Sequence, residues 1–396
     1  MIKEYFFDND KKAFMKKLSI LLFVFVFVAG CSYSAKKQST KQEKPVNKTF
    51  KEVFKDDFYV GAALNKYQIM GADSQSIAIV EKQFNSITPE NYMKASNIHP
   101  EKDRYDFRVA DKYVAFGLAN NMKIIGHTLV WHIQLPEWFF VDDEGNQIGK
   151  DELIARMKEH ITTIVSRYKG KVKGWDVVNE ALNEDGSYRE SKFYEILGKD
   201  YIKLAFQFAH EADPDAELYY NDYTMYKPKK RDSVVRMIKE LRAEGVRIDG
   251  VGMQAHYILS EKDSIFGNIE KSIMAFASAG VKVMVTELDI SVLPFPEENQ
   301  GADISGNAEY SKLLNPYTEG LPEDVRLRAD NYYIDLFNLF VKYSDTIDRV
   351  TFWGVTDNQS WKNNWPVKGR TDYPLLFDRN YQAKPVVNRI FEVMEH

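Results

Sequence analysis

Two glutamates stand at the ends of apolar runs. In Trp175-Asp176-Val177-Val178-Asn179-Glu180-Ala181 an Asn-Glu pair closes one run, and in Thr286-Glu287-Leu288-Asp289 a second carboxylate closes another. Cleavage of a glycosidic bond needs two carboxyl groups flanking the scissile linkage. A lone glutamate at a strand end is as readily a salt-bridge partner or a solvated side chain, but this pair in these contexts points to catalysis. If one carboxylate of the pair is ionised, it is expected to raise the pKa of the other by like-charge repulsion, keeping that one protonated as an acid. Attack by the ionised carboxylate removes its charge, the pKa of the other falls, and that group can then act as a base on water. Retention of configuration by this route requires carboxyl groups about 5–5.5 Å apart.

The chain must bring these residues together, and its pattern indicates how. From Thr49 onward short apolar runs alternate with helical periodicity, the mark of an α/β architecture. Strands are expected at Tyr59–Ala63, Phe84–Thr88, Lys123–Gly126, Gly174–Val178, Leu218–Tyr220, Gly250–Met253, Lys282–Thr286 and Val350–Gly354. Helical spacing of apolar residues marks Leu153–Tyr168, Asp232–Arg242 and Ile269–Ala279. Eight strands with helices between them predict a single (β/α)₈ TIM barrel, whose chemistry sits at the carboxyl ends of the strands. A doubly wound sheet would want a glycine-rich phosphate loop after its first strand, and Gly61-Ala62-Ala63-Leu64-Asn65 is not one. Polar residues stand at all eight strand ends. They are Asn65 and Lys66; Glu90, Asn91 and Lys94; His127; Asn179 and Glu180; Asn221 and Asp222; Gln254 and His256; Glu287; and Trp353, with Trp361 and Trp365 beyond. A closed barrel would gather them on one rim.

Several segments together resemble glycoside hydrolase family 10, the barrel xylanases, through nearly all of residues 50–394. They are Asn85–Lys94, Gly126–His132, Trp175–Ala181, Tyr220–Tyr223, Gly252–His256, Val285–Asp289 and Phe352–Asp357, in that order. The resemblance implies an endo-β-1,4-xylanase that cleaves internal bonds of xylan and xylo-oligosaccharides, with Glu180 as acid/base and Glu287 as nucleophile. It further implies that His256 bonds the nucleophile and is held by Asp289, and that Asn179 bonds the sugar 2-hydroxyl. Glu90, Asn91, Lys94, His127, Trp131, Gln254, Trp353 and Trp361 match the family's glycone-side residues. An indole wall near C5 of the sugar would crowd a hydroxymethyl group and favour xylose over glucose by ~1–3 kcal/mol. Trp138, Trp175 and Trp365 are as readily packing residues as binding ones. A β-1,4-glucanase or mixed xylanase/glucanase, a non-catalytic xylan-binding lipoprotein and a transglycosylase are the alternatives.

Composition narrows the rest. A net charge of −5 offers no basic excess for nucleic acid. His127 and His132 lack the His-Glu-x-x-His spacing and the body has no Cys, so neither metal nor other cofactor is expected. His160 and His210 fall in helical segments and read as structural. The single Cys, Cys31, follows a basic Met15-Lys16-Lys17, an apolar run Leu18–Val28 and Ala29-Gly30. This is a secretory signal too short to span a membrane comfortably. Its Val-Ala-Gly-Cys end resembles a bacterial lipobox. The expected organisation is a signal peptide at 1–30 with the true start at Met15, a lipidated Cys31 with a polar linker over 31–48, and a catalytic barrel over 49–396. The protein would be exported and lipid-anchored, on a periplasmic or a surface face, touching the membrane only through that lipid, and monomeric. Leu293–Asp324 is expected to be a long loop near the leaving-group side of the cleft.

Overall fold

The computed structural model describes residues 48–295 and 312–395. Runs rich in Val, Ile, Ala and Tyr make nine strands among these residues: β1 (Tyr59–Leu64), β2 (Ser86–Pro89), β3 (Lys123–Trp131), β4 (Gly174–Asn179), β5 (Glu217–Asp222), β6 (Gly250–Met253), β7 (His256–Ile258), β8 (Lys282–Ser291) and β9 (Ile347–Phe352). Most strand positions are buried rather than alternating, as expected for parallel strands covered by helices. Each strand pairs in parallel with its neighbour from β1 to β6. The pairings β6–β8, β8–β9 and β9–β1 then close the ring, with Val251 opposite Val283 and Val60 opposite Val350. The expected eight-stranded barrel is therefore present.

The barrel interior holds Ile125, Tyr219 and Met284, and a fully buried Arg349. Gly126 serves the packing on the outer side of the barrel, since a Cβ there would lie 2.1 Å from the ring of Trp175, which belongs to the core shared with the helices. Outside, amphipathic helices pack on the strands. The helix Lys150–Arg167 buries Leu153, Met157, Ile161, Ile164 and Val165, and opens with Asp151 and Glu152 at its positive end. The helix Pro228–Ala243 begins with a proline at its first turn, where the missing N–H is harmless. The helix Lys262–Ser278 starts seven residues before the expected one, because its first two turns carry few apolar residues.

Three findings differ from the sequence expectation. First, β3 and β8 do not stop at Gly126 and Thr286 but run on to Trp131 and Ser291. The apolar pattern breaks at His127 and Glu287, yet backbone pairing continues because those polar side chains find partners in the barrel mouth. Register irregularities lie between His127 and Val130, between Asp176 and Val178, and between Val285 and Leu288. Bulges of this kind re-aim side chains, and here they fall beside the predicted site residues. Second, β7 is an extra short strand beside β8, with His256 opposite Asp289. Third, the segment expected as a long loop carries a short helical turn at 312–314, before the helix Glu323–Lys342 begins where the loop was expected to end. The predicted signal peptide, Cys31, the linker up to residue 47 and the loop portion 296–311 lie outside the described residues.

Candidate active site

The barrel places Glu180 and Glu287 on one hydrogen-bonded network. Glu287 lies within β8 and is buried. Its Oε1 accepts from Asn221 Nδ2 at 2.8 Å, and its Oε2 faces His256 Nε2 at 3.1 Å. Glu180 is the first residue beyond β4 and adopts φ +58°, which swings its side chain away from the strand's own alternation. Its Oε1 accepts from Gln254 Nε2 at 2.9 Å and more weakly from Asn179 Nδ2 at 3.3 Å. Two amides link these carboxylates. Asn221 Nδ2 also donates to Asn179 Oδ1 at 2.8 Å, and Gln254 Nε2 lies 3.4 Å from the same oxygen. Thr286 Oγ1 donates to Asn221 Oδ1 at 2.7 Å and fixes which way that amide points. The close approach requires Gly252, where a Cβ would sit 2.3 Å from Asn221 Oδ1.

His256 meets a carboxylate on each side. Its Nδ1 is 3.0 Å from Asp289 Oδ2, which also accepts from Trp361 Nε1 at 2.8 Å. Both ring nitrogens can donate only when the ring is protonated. Burial opposes that charge, but the attraction and hydrogen bond of Asp289, followed by the bond to Glu287, outweigh it and raise the pKa of His256. For Glu287, burial works against ionisation. The His256 hydrogen bond, the nearby His127 and the Asn221 amide reverse this and hold its pKa low. Burial is likewise overcome at Asp289, by His256, Lys362 and Trp361. The arrangement therefore keeps an ionised carboxylate in a buried site, as a nucleophile requires.

A second patch faces this network. Lys94 Nζ donates to Asn91 Oδ1 at 3.0 Å, and Asn91 Nδ2 donates to Glu90 Oε1 at 3.2 Å. The Lys94 ammonium lies 4.8 Å from the Trp131 ring centroid and 6.0 Å from that of Trp353. Burial lowers the pKa of Lys94, opposed by the charges of Glu287, Glu90 and Glu180. Burial raises that of Glu90, opposed by Lys94 and Asn91. His127 Nδ1 is 2.9 Å from Asp176 Oδ2, and its ring meets Trp353 edge-on at 5.3 Å. Trp361 meets the His256 ring at 4.8 Å and stacks on Trp365 at 4.9 Å with 24° between planes. The result is a polar patch of Glu90, Asn91 and Lys94, walled by indoles, beside two carboxylates.

The site residues named from sequence that lie among the described residues fall into connected groups; Cys31 lies outside the described residues. The undecided tryptophans separate: Trp365 joins the site's edge, half exposed, while Trp175 is buried and Trp138 packs against His99 at 4.6 Å. His160 is buried with its Nδ1 3.0 Å from His99 Nδ1, consistent with the structural role expected of it. Among the described residues no group of three or more His, Cys, Asp or Glu is arranged to hold a metal ion. Sequence reasoning placed Asn221 and Asp222 at a strand end but gave neither a role. Asn221 proves to be the direct partner of Glu287, and the signal for it was an amide directly following the run Leu218–Tyr220. Lys230, which pairs with Asp222, carried no signal at all.

Comparison with known proteins agrees with this geometry. The model of glycosyl hydrolase family 10 matches residues 49–393. The chain is 51% identical over 347 residues to endo-1,4-beta-xylanase A of Xylanibacter ruminicola, covering 88% of this chain and 94% of that one. It is 42% identical over 347 residues to endo-1,4-beta-xylanase A of Caldicellulosiruptor saccharolyticus, covering 87% and 96%. Among solved structures it is similar to a family 10 endoxylanase from a sugarcane soil metagenome, with a TM-score of 0.82, 42% identity, and coverage of 87% and 99%. A closed parallel barrel, two networked carboxylates on its rim and a family match over nearly the whole described body lead to one assignment: the chain belongs to glycosyl hydrolase family 10.

Proposed function

We propose that this protein is an endo-1,4-β-xylanase that hydrolyses internal β-1,4 bonds of xylan with retention, Glu287 acting as nucleophile and Glu180 as acid/base. The observation that carries the assignment of roles is the asymmetry between the two carboxylates. Glu287 is buried, bonded on both oxygens by Asn221 and His256, and held ionised. Glu180 sits on a turn beyond its strand with Gln254 on one oxygen. Glu287 attacks the anomeric carbon while Glu180 gives its proton to the leaving oxygen. Glu180 then takes a proton from the water that releases the glycosyl-enzyme. The carboxamide of Asn179, between the two, is placed to bond the sugar 2-hydroxyl, a contact that strengthens in the transition state. Glu90, Asn91, Lys94, His127 and Gln254 hold the glycone hydroxyls, and Trp131, Trp353 and Trp361 wall the pentose. The two endoxylanases above, similar over most of their length, support xylan as substrate.

The test is sugar release from xylan, carboxymethyl-cellulose, mixed-linkage glucan and mannan by residues 49–396, with Glu287→Ala alongside. Cleavage of xylan to short oligomers, starting as the β-anomer and lost in the variant, is expected. Near-normal activity of Glu287→Ala would remove it as nucleophile, and binding of xylan without cleavage would replace the enzyme reading by a glycan-binding one.

The same reading extends to the amino terminus. The protein is exported and anchored by a lipid on Cys31, and its catalytic body is a monomer tethered by the polar segment after that residue. The basic Lys16-Lys17, the apolar Leu18–Val28 run and the Val28-Ala29-Gly30-Cys31 ending support it. Partition of the full chain into detergent phase, abolished by Cys31→Ala, is the expected result. Unchanged partition of that variant would refute the lipid anchor.

A further inference from the structure

At the end of β5 lies a charged pair with no part in the reaction as described. Asp222 and Lys230 are both fully buried, with Nζ 2.6 Å from Oδ1. Burying such a pair is costly unless every remaining hydrogen-bonding group is satisfied. Lys230 also stands in the first turn of the helix Pro228–Ala243, where the helix dipole disfavours a cation, and no acidic residue accompanies it there. Helix stability therefore does not account for its position.

The contacts of the pair do. Asp222 Oδ2 accepts from the Tyr220 hydroxyl at 2.5 Å, and Oδ1 accepts from the Tyr223 N–H at 2.9 Å. The Tyr220 hydroxyl accepts in turn from the N–H of Ala181, the residue after Glu180, at 3.1 Å. The Lys230 ammonium lies 3.8 Å from the Tyr223 ring centroid. The Tyr223 hydroxyl accepts from Arg189 Nη2 at 2.8 Å, and Arg189 Nε donates to the Glu180 carbonyl at 3.0 Å. On its other side the Glu180 N–H donates to the Asn221 carbonyl at 2.9 Å. Every peptide group flanking Glu180 is thus held by the β5 end or by a residue bonded to it. Glu180 needs this, because at φ +58° it occupies a region that residues with a Cβ enter only when their surroundings enforce it.

We propose that the buried Asp222–Lys230 pair, acting through Tyr220, Tyr223 and Arg189, holds Glu180 in its left-handed conformation and so aims its carboxyl at the leaving oxygen. Asp222, Lys230, Tyr220 and Arg189 are positioning residues, and the inference rests on Glu180 being the acid/base.

A positioning role for the acid makes a kinetic prediction that a merely structural role does not. A phenyl β-xylobioside needs protonation of its leaving group, whereas a dinitrophenyl β-xylobioside does not. Glu180→Ala serves as reference and is expected to lose kcat/KM on the phenyl substrate far more than on the dinitrophenyl one. Tyr220→Phe keeps the Asp222–Lys230 pair and removes only the hydroxyl. It is expected to lose about tenfold on the phenyl substrate and less than about threefold on the other, a fraction of what a general acid supplies. Lys230→Met should show the same pattern, more strongly, provided its circular dichroism matches wild type. If it does not fold, Tyr220→Phe decides alone. Equal losses on both substrates, or no loss in Tyr220→Phe while Glu180→Ala keeps its steep dependence, would overturn the proposal. Absence of that dependence in Glu180→Ala itself would overturn the acid/base reading, and the proposal with it.

Discussion

His256 Nε2 lies 3.1 Å from Glu287 Oε2, on an imidazole whose other nitrogen is 3.0 Å from Asp289. The ring bridges two buried carboxylates, and Asp289 and Glu287 raise its pKa against the opposing effect of burial. It stabilises the nucleophile's charge, and Asp289 stabilises the ring's. Removing the bridge should therefore weaken the nucleophile and alter how the fold responds to pH.

For activity, His256→Gln replaces the imidazole that bridges two carboxylates by an amide that reaches only one. Loss of a charge-assisted hydrogen bond is worth ~1.5–3 kcal/mol, so kcat/KM on xylo-oligosaccharides should fall by roughly ten- to a hundredfold. Steady-state kinetics check this. A variant within twofold of wild type would show that Glu287 does not depend on the bridge.

For stability, the sign follows from the raised pKa of His256. Its contribution is fully present below the unfolded value of about 6.5 and is lost as pH rises through the higher folded value. Glu287 and Asp289, with lowered pKa values, act oppositely: their contribution is present above the ordinary carboxylate range and is lost as pH falls through the folded values. Thermal melting against pH should show a decline as pH rises above about 6.5 that is flattened in His256→Gln. An unchanged slope above that pH would argue against a raised pKa at His256.

Asn221 divides one N–H₂ group between Glu287 and Asn179. Asn221→Ala leaves both acceptors short of a donor in a buried site, at a cost of ~1–3 kcal/mol for an unsatisfied group. The expected result is a drop in kcat of about tenfold or more with a modest drop in melting temperature. A change confined to KM would mean that the amide serves binding rather than the nucleophile.

Gly252→Ala tests the same amide from behind. The new methyl would stand 2.3 Å from Asn221 Oδ1 and 2.7 Å from Thr286 Cγ2. Overpacking of this kind costs ~1–3 kcal/mol and must displace Asn221. Activity should fall about as far as in Asn221→Ala, and combining the two should add little. Additive losses would separate the glycine from the amide.

Trp361 both stacks on Trp365 and donates to Asp289. Trp361→Phe keeps an aromatic face and deletes the donor, so kcat should fall more than KM rises. Trp365→Ala removes only the outer face of the stack and should raise KM with little change in kcat. The reverse pattern in either variant would exchange their roles.

Much of this was legible in the chain itself. The (β/α)₈ barrel followed from apolar runs alternating with helical periodicity. Glu180 and Glu287 were legible as a pair of carboxylates closing two apolar runs, which glycosidic cleavage needs and a lone glutamate would not have shown. The residues at the strand ends could be named because a barrel puts every such end on one rim. What sequence reasoning placed less well were boundaries and partners. β3 and β8 outrun their apolar patterns because His127 and Glu287 are paired inside the barrel mouth. Trp175 and Trp365 carry the same indole, and only packing makes one a core residue behind Gly126 and the other part of the site's rim.

Sequence by itself determined the fold class and which carboxylates can react, since both depend on local pattern and residue type. Only the tertiary structure decided that Asn221 serves Glu287, that Glu180 turns at φ +58°, and that a lysine in the first turn of a helix is buried against Asp222. These depend on which distant segments meet. Burial then turns an ordinary amide or ammonium group into the specific partner that a buried carboxylate must have.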